Sequence, residues 1–488
     1  FSSSDQKLNR LAANAFWGQR SNFLDMPTDC PQRDERLGWT GDAQVFSPTA
    51  CYQMDTRAFY RKFLKDLRLD QLRHDGAVAN YLPNFSAMPS GSSVWGDVAT
   101  FLPVTLYDFY GDTAALTDQY PLMRDWVEWI FRQDEAHGGA RLWNFGFHFG
   151  DWLAQDGVTP QSMKGGTDDF FVASMYYYAS ARKVAYAAQA LENAADAARY
   201  TGLSEEIYAA ILREYFSPAG RLAVDTQTAY LLCLSFGVWI DKQRLIEGFK
   251  RRMQRDCYKI KGGFVGATMM CRVLAENGLG DLAAYLLFQE GFPGWMHCVN
   301  LGATTIWERW NSVLDDGTIS GTGMNSLNHY SYGAVMEYVF RDLAGLRGIA
   351  PGFTRARFAP QPTSKLREIS LRYDSASGVY ESAWRVNDDG TLTVRFAVPF
   401  GCTAEALLPG TQETVELAAG TFEKTYVPDH DYRAKYSMDS RLDEMKDDPE
   451  ALAILQEDLP AAWDNWDVDA DIQSKFRDVT TLVSSEVV

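Results

Sequence analysis

Asp25-Met-Pro-Thr-Asp29-Cys-Pro-Gln-Arg33-Asp34-Glu35-Arg36-Leu-Gly38-Trp39-Thr-Gly41-Asp42 packs five acids, two arginines and a tryptophan into 18 residues. Pro27 and Pro31 oppose a helix leading into it, and Gly38 and Gly41 oppose one running across it. The stretch reads as a shaped loop, followed by an apolar helix that begins near Asp42. Charge at this density builds a core poorly. Two readings stand on chemistry alone. One is a solvated loop in which Arg33 and Arg36 pair with Asp29 or Asp34; the other is a loop that presents carboxylates to a ligand.

Around this loop the apolar residues keep a helical period up to about residue 347. After Asp112, a plausible N-cap, Met123, Trp126, Val127 and Ile130 share one face, and Arg124, Asp125 and Glu128 share the other. Ser204 reads as a second N-cap, before Ile207, Ala210 and Ile211. Helical candidates recur at 5–17, 43–72, 97–110, 114–133, 168–200, 204–215, 226–237, 243–254, 264–277, 280–290 and 328–346. The intervening loops are rich in Gly, Pro, Asp and Trp, as at Gly150–Gly157 and Gly291–Trp295. Many antiparallel helices with elaborate loops at one end point to a barrel of helical hairpins. Periodicity does not establish that the barrel closes.

The period changes near Pro351. Ile369, Leu371 and Tyr373 alternate with polar residues, as do Leu392, Val394, Phe396 and Val398, and Asp389-Gly390 marks a hairpin between the two runs. Residues 351–428 read as a small antiparallel β-sandwich behind a helical unit of residues 1–350. Residues 429–488 form an acidic tail. From Asp431 on, 15 acidic and 6 basic residues give a net charge of −9, half of the chain's −18. Met438, Leu442 and Met445 hint at a helix there, and the tail is open between disorder and docking on the body.

The acidic balance argues against nucleic acid and against an anionic membrane surface as partners. No stretch has the roughly 18 consecutive apolar residues of a membrane helix. Seven scattered cysteines without a C-x-x-C, and six scattered histidines, point to neither a disulfide framework nor a metal site. No cofactor is expected. The cysteine usage fits a reducing, cytoplasmic setting better than a secreted one, although a start at Phe1 fits a fragment or a processed product and leaves the N-terminus uninformative. Fourteen tryptophans are unusual. Most belong in a core, but an indole face also packs well on the C–H face of a sugar.

Further clusters lie downstream: Val94-Trp95-Gly-Asp97, Phe147-His148-Phe-Gly-Asp151-Trp152, Thr305-Ile306-Trp307-Glu308-Arg309-Trp310, and Asn325-Ser-Leu-Asn328-His329-Tyr330. Glu308 stands between two tryptophans and is easily desolvated. Cleavage of a glycosidic bond needs two carboxyl groups, one to protonate the leaving oxygen and one to attack or to activate water. Separate loops at one end of a helical barrel can supply such a pair, although sequence spacing does not give the gap between them.

The run Asp29-Cys-Pro-Gln-Arg-Asp-Glu-Arg-Leu-Gly-Trp-Thr-Gly-Asp42 closely resembles the signature of the α-L-rhamnosidases of glycoside hydrolase family 78. The Thr305–Trp310 run and the stretch Asn328-His-Tyr-Ser-Tyr-Gly333 are similar to that family's in the same order, and the resemblance covers about residues 1–428. It implies a mainly α fold, an (α/α)6 barrel followed by a small β-sandwich. It also implies removal of terminal α-L-rhamnose from a rhamnose-containing glycoside, with inversion and without a metal. By position in the motifs, Glu35 matches the general acid and Glu308 the general base. Their carboxyl groups would then stand roughly 6.5–9.5 Å apart to admit a water. Asp29, Asp42 and His329 match groups that bond sugar hydroxyls, Arg33 matches a group that orients carboxylates, and Trp39, Trp95 and Trp152 match an aromatic wall. Members of the family usually carry β-domains upstream, so their absence here fits the fragment reading.

Two other readings remain. The first is a different (α/α)6 glycosidase or a polysaccharide lyase; a lyase would want a Tyr, His or Arg base beside a uronate and a strongly basic cleft, which the acid-rich loop opposes. A carbohydrate-binding or inactive remnant is opposed by the presence of both Glu35 and Glu308.

Overall fold

In the computed structural model, residues 1–85, 88–157, 159, 162–436, 445 and 448–460 are described. The helices are α1 (Gln6–Asn22), α2 (Thr40–Gln53), α3 (Arg57–Gln71), α4 (Val98–Tyr110), α5 (Thr113–Ala136), α6 (Asp169–Ala190), α7 (Ala194–Tyr215), α8 (Gln227–Phe236), α9 (Lys242–Arg255), α10 (Gly266–Glu276) and α11 (Gly280–Phe288). A short α12 (Trp295–Asn300) and a 3-10/α/π run over residues 331–343 follow. Alternate helices differ in character. α2, α6, α8 and α10 are buried on nearly every side, whereas α3 and α9 bury one stripe each. A helix apolar all round belongs inside, and an amphipathic one belongs outside. The packing follows this division. α2 touches α4, α4 touches α6, α6 touches α8 and α8 touches α10; α10 packs on the 331–343 run, which returns to α2. The inner ring of six is therefore closed, and the hairpin partners form an outer layer.

Side-chain caps start many of these helices. Asp112 accepts from the Ala115 N–H, Asp168 from Phe171 and Asp241 from Arg244. Left-handed Gly111 and Gly237 end α4 and α8. Four sequence expectations need correction. Ser204 caps nothing: it lies inside α7, where its Oγ donates to the Thr201 carbonyl, and Asn193 is the cap. The 168–200 candidate breaks at Leu191–Asn193, with Glu192 at φ 58°. The 43–72 candidate breaks at Met54–Thr56, where no Gly or Pro marks the turn. Gly41 does not interrupt a helix either but lies in the first turn of α2, because a Cβ there would stand 2.6 Å from the Trp95 ring.

Strands β1 (Ser2–Ser3), β2 (Gly38–Trp39), β3 (Tyr81–Leu82), β4 (Leu346–Gly348), β5 (Arg355–Phe358), β6 (Glu368–Ser375), β7 (Gly378–Val386), β8 (Leu392–Val398), β9 (Thr403–Leu407), β10 (Thr414–Leu417) and β11 (Gly420–Tyr426) make three sheets. One has the order β1-β6-β7-β8-β11, a second β10-β9-β5-β4, and β2-β3 pair alone. Phe358 of the second sheet stacks on Phe396 of the first with centroids 4.5 Å apart, which joins the two inner faces. The turn at Asp389-Gly390 joins β7 to β8, with Val386 opposite Leu392. Among the described residues, all pairings are antiparallel except β5 with β9. The N-terminal β1 joins the first sheet through Ser2↔Ser370 and Ser3↔Ile369, a long-range pairing that local periodicity does not reveal. Of the acidic tail, a helix at Pro449–Asp458 is described; Met438 and Leu442 lie outside the described residues.

Candidate active site

Loops that precede five of the six inner helices converge on one mouth of the barrel. The acid-rich loop and Asp42 belong to the start of α2, Trp95 precedes α4, Phe149 and Trp152 come before α6, and Phe264 precedes α10. Glu308, Met324 and His329 come before the 331–343 run. The partial positive charge of helix N-termini suits this concentration of carboxylates.

There, Asp29, Arg33, Glu35, Trp39, Asp42, Trp95, Trp152, Glu308 and His329 line a single pocket of about 60 Å³. These are all nine residues singled out in the sequence. Phe149, Phe264 and Met324 complete the lining and were not singled out. Phe149 stands inside the quoted 147–152 run, and Phe264 follows a Gly-Gly pair; Met324 has no local signal.

Arg33 is at the centre. Its Nη1 donates to Glu308 Oε2 (2.9 Å), its Nε and Nη2 donate to Glu35 Oε2 (3.0 and 2.7 Å), and Nη2 also reaches Asp29 Oδ2 (3.2 Å). One guanidinium thus joins the Glu35 carboxylate to one 275 positions beyond Arg33 in the chain. Burial works against its charge, but the bonds to Glu308 and Glu35 outweigh burial and raise its pKa. The Trp39 indole donates to Glu35 Oε1 at 2.7 Å. The Glu35 side chain is 28% exposed and that of Glu308 only 3%, so the two acids face different surroundings.

Asp29 is buried. Its Oδ1 accepts from the Leu37 N–H (3.2 Å) and its Oδ2 from Cys30 Sγ (2.9 Å), which closes the loop on itself. Burial raises its pKa, and the nearby Glu35 adds to the effect. Burial also pushes Asp42 up to about 6, against the opposing influence of His329 and Ser331. The Ser331 Oγ donates to Asp42 Oδ1 at 2.6 Å, and His329 Nε2 lies 3.3 Å from the same oxygen. Asp29, Cys30 and Glu35 bring one ligand atom each within 4.8 Å of one another, but the Arg33 guanidinium already bonds both acids.

The aromatic wall is built around Phe149, whose ring centroid lies 4.3 Å from Trp95, 5.7 Å from Trp152 and 5.8 Å from Trp39. Each part is braced by a buried polar group. Val94, at φ +70°, is strained for a β-branched residue. Asp97 holds it there by accepting the Val94 N–H at 2.7 Å, and it also accepts from Trp126 Nε1 and Ser180 Oγ. Burial pushes Asp97 to about 6. Asp151, also at about 6 through burial, accepts from Thr228 and from the N–H groups of Gly263, Val265 and Gly266, so it ties the Trp152 loop to the Phe264 loop. His148 accepts the Ser93 N–H and donates to the Phe145 carbonyl, joining the Trp95 and Phe149 loops. Burial pulls its pKa to about 4, so it is a neutral brace at ordinary pH.

A closed double ring of helices with paired carboxylates and an aromatic wall at one mouth is the arrangement of a six-hairpin glycosidase. Residues 1–343 match the family described as bacterial alpha-L-rhamnosidase 6 hairpin glycosidase domain, and residues 345–423 match the bacterial alpha-L-rhamnosidase C-terminal domain. An alpha-L-rhamnosidase of Formosa agariphila is 36% identical over 419 residues, covering 84% of this chain and 44% of its own. One from Streptomyces avermitilis is 35% identical over 425 residues, covering 86% and 40%. Among solved structures, the α-L-rhamnosidase of Aspergillus terreus superposes with a TM-score of 0.83 at 30% identity, over 87% of this chain and 49% of that one. The Streptomyces avermitilis enzyme complexed with L-rhamnose gives 0.80 at 33%, over 87% and 42%. This chain belongs to the bacterial α-L-rhamnosidase family, glycoside hydrolase family 78, and it spans less than half the length of these relatives.

Proposed function

We propose that this chain hydrolyses terminal α-L-rhamnose from rhamnosides by an inverting, two-carboxylate mechanism. The observation that carries the reading is the Arg33 bridge, which holds Glu35 and Glu308, from opposite parts of the sequence, on one pocket. Glu308 is the buried partner and is assigned the base. Its Oε2 is taken by Arg33, leaving Oε1 to accept a proton from the attacking water. Glu35 is the more exposed partner and is assigned the acid, with the leaving group on the solvent side; its Oε1 accepts from Trp39 and its Oε2 from Arg33, so one of these bonds gives way when Glu35 carries the proton it donates. Inversion requires roughly 6.5–9.5 Å between the two carboxyl groups, room enough for that water.

Asp29, Asp42 and His329 line the pocket as hydrogen-bonding groups for the sugar hydroxyls. Trp95, Phe149 and Trp152 form a face suited to the C6 methyl of a 6-deoxy sugar. A hydroxymethyl placed against that wall would leave its hydroxyl unsatisfied. The test is release of nitrophenol from p-nitrophenyl α-L-rhamnoside by the purified chain, with NMR of the first-formed anomer. β-Rhamnose is expected first. Glu35→Gln and Glu308→Gln should each lower turnover by roughly 10²-fold or more. A variant that kept more than about a tenth of the activity would remove its residue from the assigned role.

A further inference from the structure

The far mouth of the barrel, where the inner helices end, holds a second cavity of about 660 Å³. It reaches inward between α2, the later turns of α4, α6 and α8, and the first two turns of α10, and is flanked by β4. Its charge is opposite to that of the first mouth. Arg182, Lys183, Arg272, Arg341 and Arg347 line it, against only Asp108 and Glu337. Cations are expected at helix C-termini because they offset the dipole, and part of this set is accounted for locally. Arg272 and Arg341 pair with Glu276 and Glu337, and Arg182 donates to the Phe236 carbonyl.

Two cations are left over. Lys183 forms no ion pair among the described residues; its Nζ lies 4.4 Å from the Phe101 ring centroid, and burial lowers its pKa. Arg347 also has no ion pair among the described residues, and its buried Nε has no hydrogen-bond partner among them. Burial lowers its pKa, and the charges of Arg341 and Arg357 add to the effect. An anion in the cavity would relieve both.

Two further features narrow the class of anion. Phe101, Tyr176 and Phe236 form a contiguous aromatic surface, with centroids 5.3–6.0 Å apart. Gln44 is more than nine-tenths buried, and its Oε1 has no donor among the described residues. A buried acceptor without a partner calls for a hydroxyl. The volume lies within the range of small-molecule sites, roughly 300–1,000 Å³.

We infer that this cavity is a second binding site for a hydroxylated ring that carries an anionic group, an acidic monosaccharide or a sugar phosphate. Lys183 and Arg347 take the anion, the Phe101–Tyr176–Phe236 surface takes the ring face, and Gln44 Oε1 takes a hydroxyl. The site is separate from the catalytic mouth and does not depend on the reaction assigned there.

Calorimetric titration of the purified chain with glucuronate and with glucose 6-phosphate tests this, and the two arms separate carboxylate from phosphate recognition. Glucose and inorganic phosphate are the controls for charge and for ring. At least one of the two anionic sugars should bind with one site per chain. Glucose and phosphate should each bind about tenfold more weakly or worse, and Lys183→Met and Arg347→Gln should each weaken binding by about tenfold, whereas Glu308→Gln should not. On the unmodified chain, the bound anion should also slow acetylation of Lys183, read by mass spectrometry, which makes the test independent of how well the variants fold. Absence of saturable binding by both anions, binding that survives both substitutions, or unprotected Lys183 would overturn the site and leave the cations as partners of the helix ends. Phosphate binding as tightly as glucose 6-phosphate would overturn the ring recognition.

Discussion

Replacing Asp97 by Asn keeps the shape of a side chain that holds the Trp95 turn from behind. The carboxylate accepts three hydrogen bonds, from the Val94 N–H at 2.7 Å on Oδ2 and from Trp126 Nε1 (2.9 Å) and Ser180 Oγ (2.6 Å) on Oδ1. An amide can keep the two on one oxygen, but its NH2 then faces the Val94 N–H, donor against donor. A hydrogen bond to a charged group contributes roughly 1.5–3 kcal/mol, and a buried N–H left unpaired costs about 1–3 kcal/mol. The substitution should therefore destabilise the chain by about 3 kcal/mol and free Val94 from its positive φ of 70°. Trp95 would then lose its fixed place against Phe149, 4.3 Å away. Loss of one apolar contact in a sugar pocket is worth about 1–3 kcal/mol, or 10- to 200-fold in specificity. In a steady-state assay on p-nitrophenyl α-L-rhamnoside at pH 7.5, KM should rise by about tenfold or more, while kcat falls by much less because neither Glu35 nor Glu308 is touched. The melting temperature should drop by several degrees. An Asp97→Asn chain with wild-type KM and wild-type melting temperature would refute the claim that this carboxylate holds the wall.

Two other perturbations read different parts of the same structure. Gly41→Ala places a Cβ 2.6 Å from two atoms of the Trp95 indole; overpacking of this kind costs about 1–3 kcal/mol, so thermal stability should fall and KM should rise, both seen in the assays above. Asp342 is pushed up to about 7 by burial, with Arg341 opposing. The folded chain therefore keeps that proton to a higher pH than the unfolded chain, and the stability it contributes is full below the ordinary carboxylate range and is lost as pH rises to about 7. In Asp342→Asn, the fall in melting temperature between pH 5 and pH 7 should be shallower than in the unmodified chain, and an unchanged slope would count against the raised pKa.

Much of the site was legible in the sequence because its chemistry is concentrated in short loops. Pro27, Pro31 and Gly38 exclude helix where the carboxylates cluster, and the runs that contain Trp95, Trp152, Glu308 and His329 each precede an apolar helical stretch. The change from helical period to alternation near Pro351 was legible for the same local reason. The misplaced breaks have a local cause too. Met54–Thr56 and Leu191–Asn193 carry no Gly or Pro, and Ser204, a good cap by residue type, spends its hydroxyl on the Thr201 carbonyl inside a continuing helix.

The sequence by itself determined which side chains were available: the carboxylates, the tryptophans, the inner helices apolar enough to be buried all round, and the alternating strands. Tertiary structure alone decided what they meet. Closure of the ring, the return of β1 to β6, and the Arg33 bridge across 275 positions are contacts between distant segments. So are the braces at Asp97, Asp151 and His148, and the gathering of cations at the far mouth. Periodicity records which face of an element is apolar, but not which other face it will be buried against. Burial and hydrogen-bond partners set the charge state of each acid, and both exist only once the chain is folded.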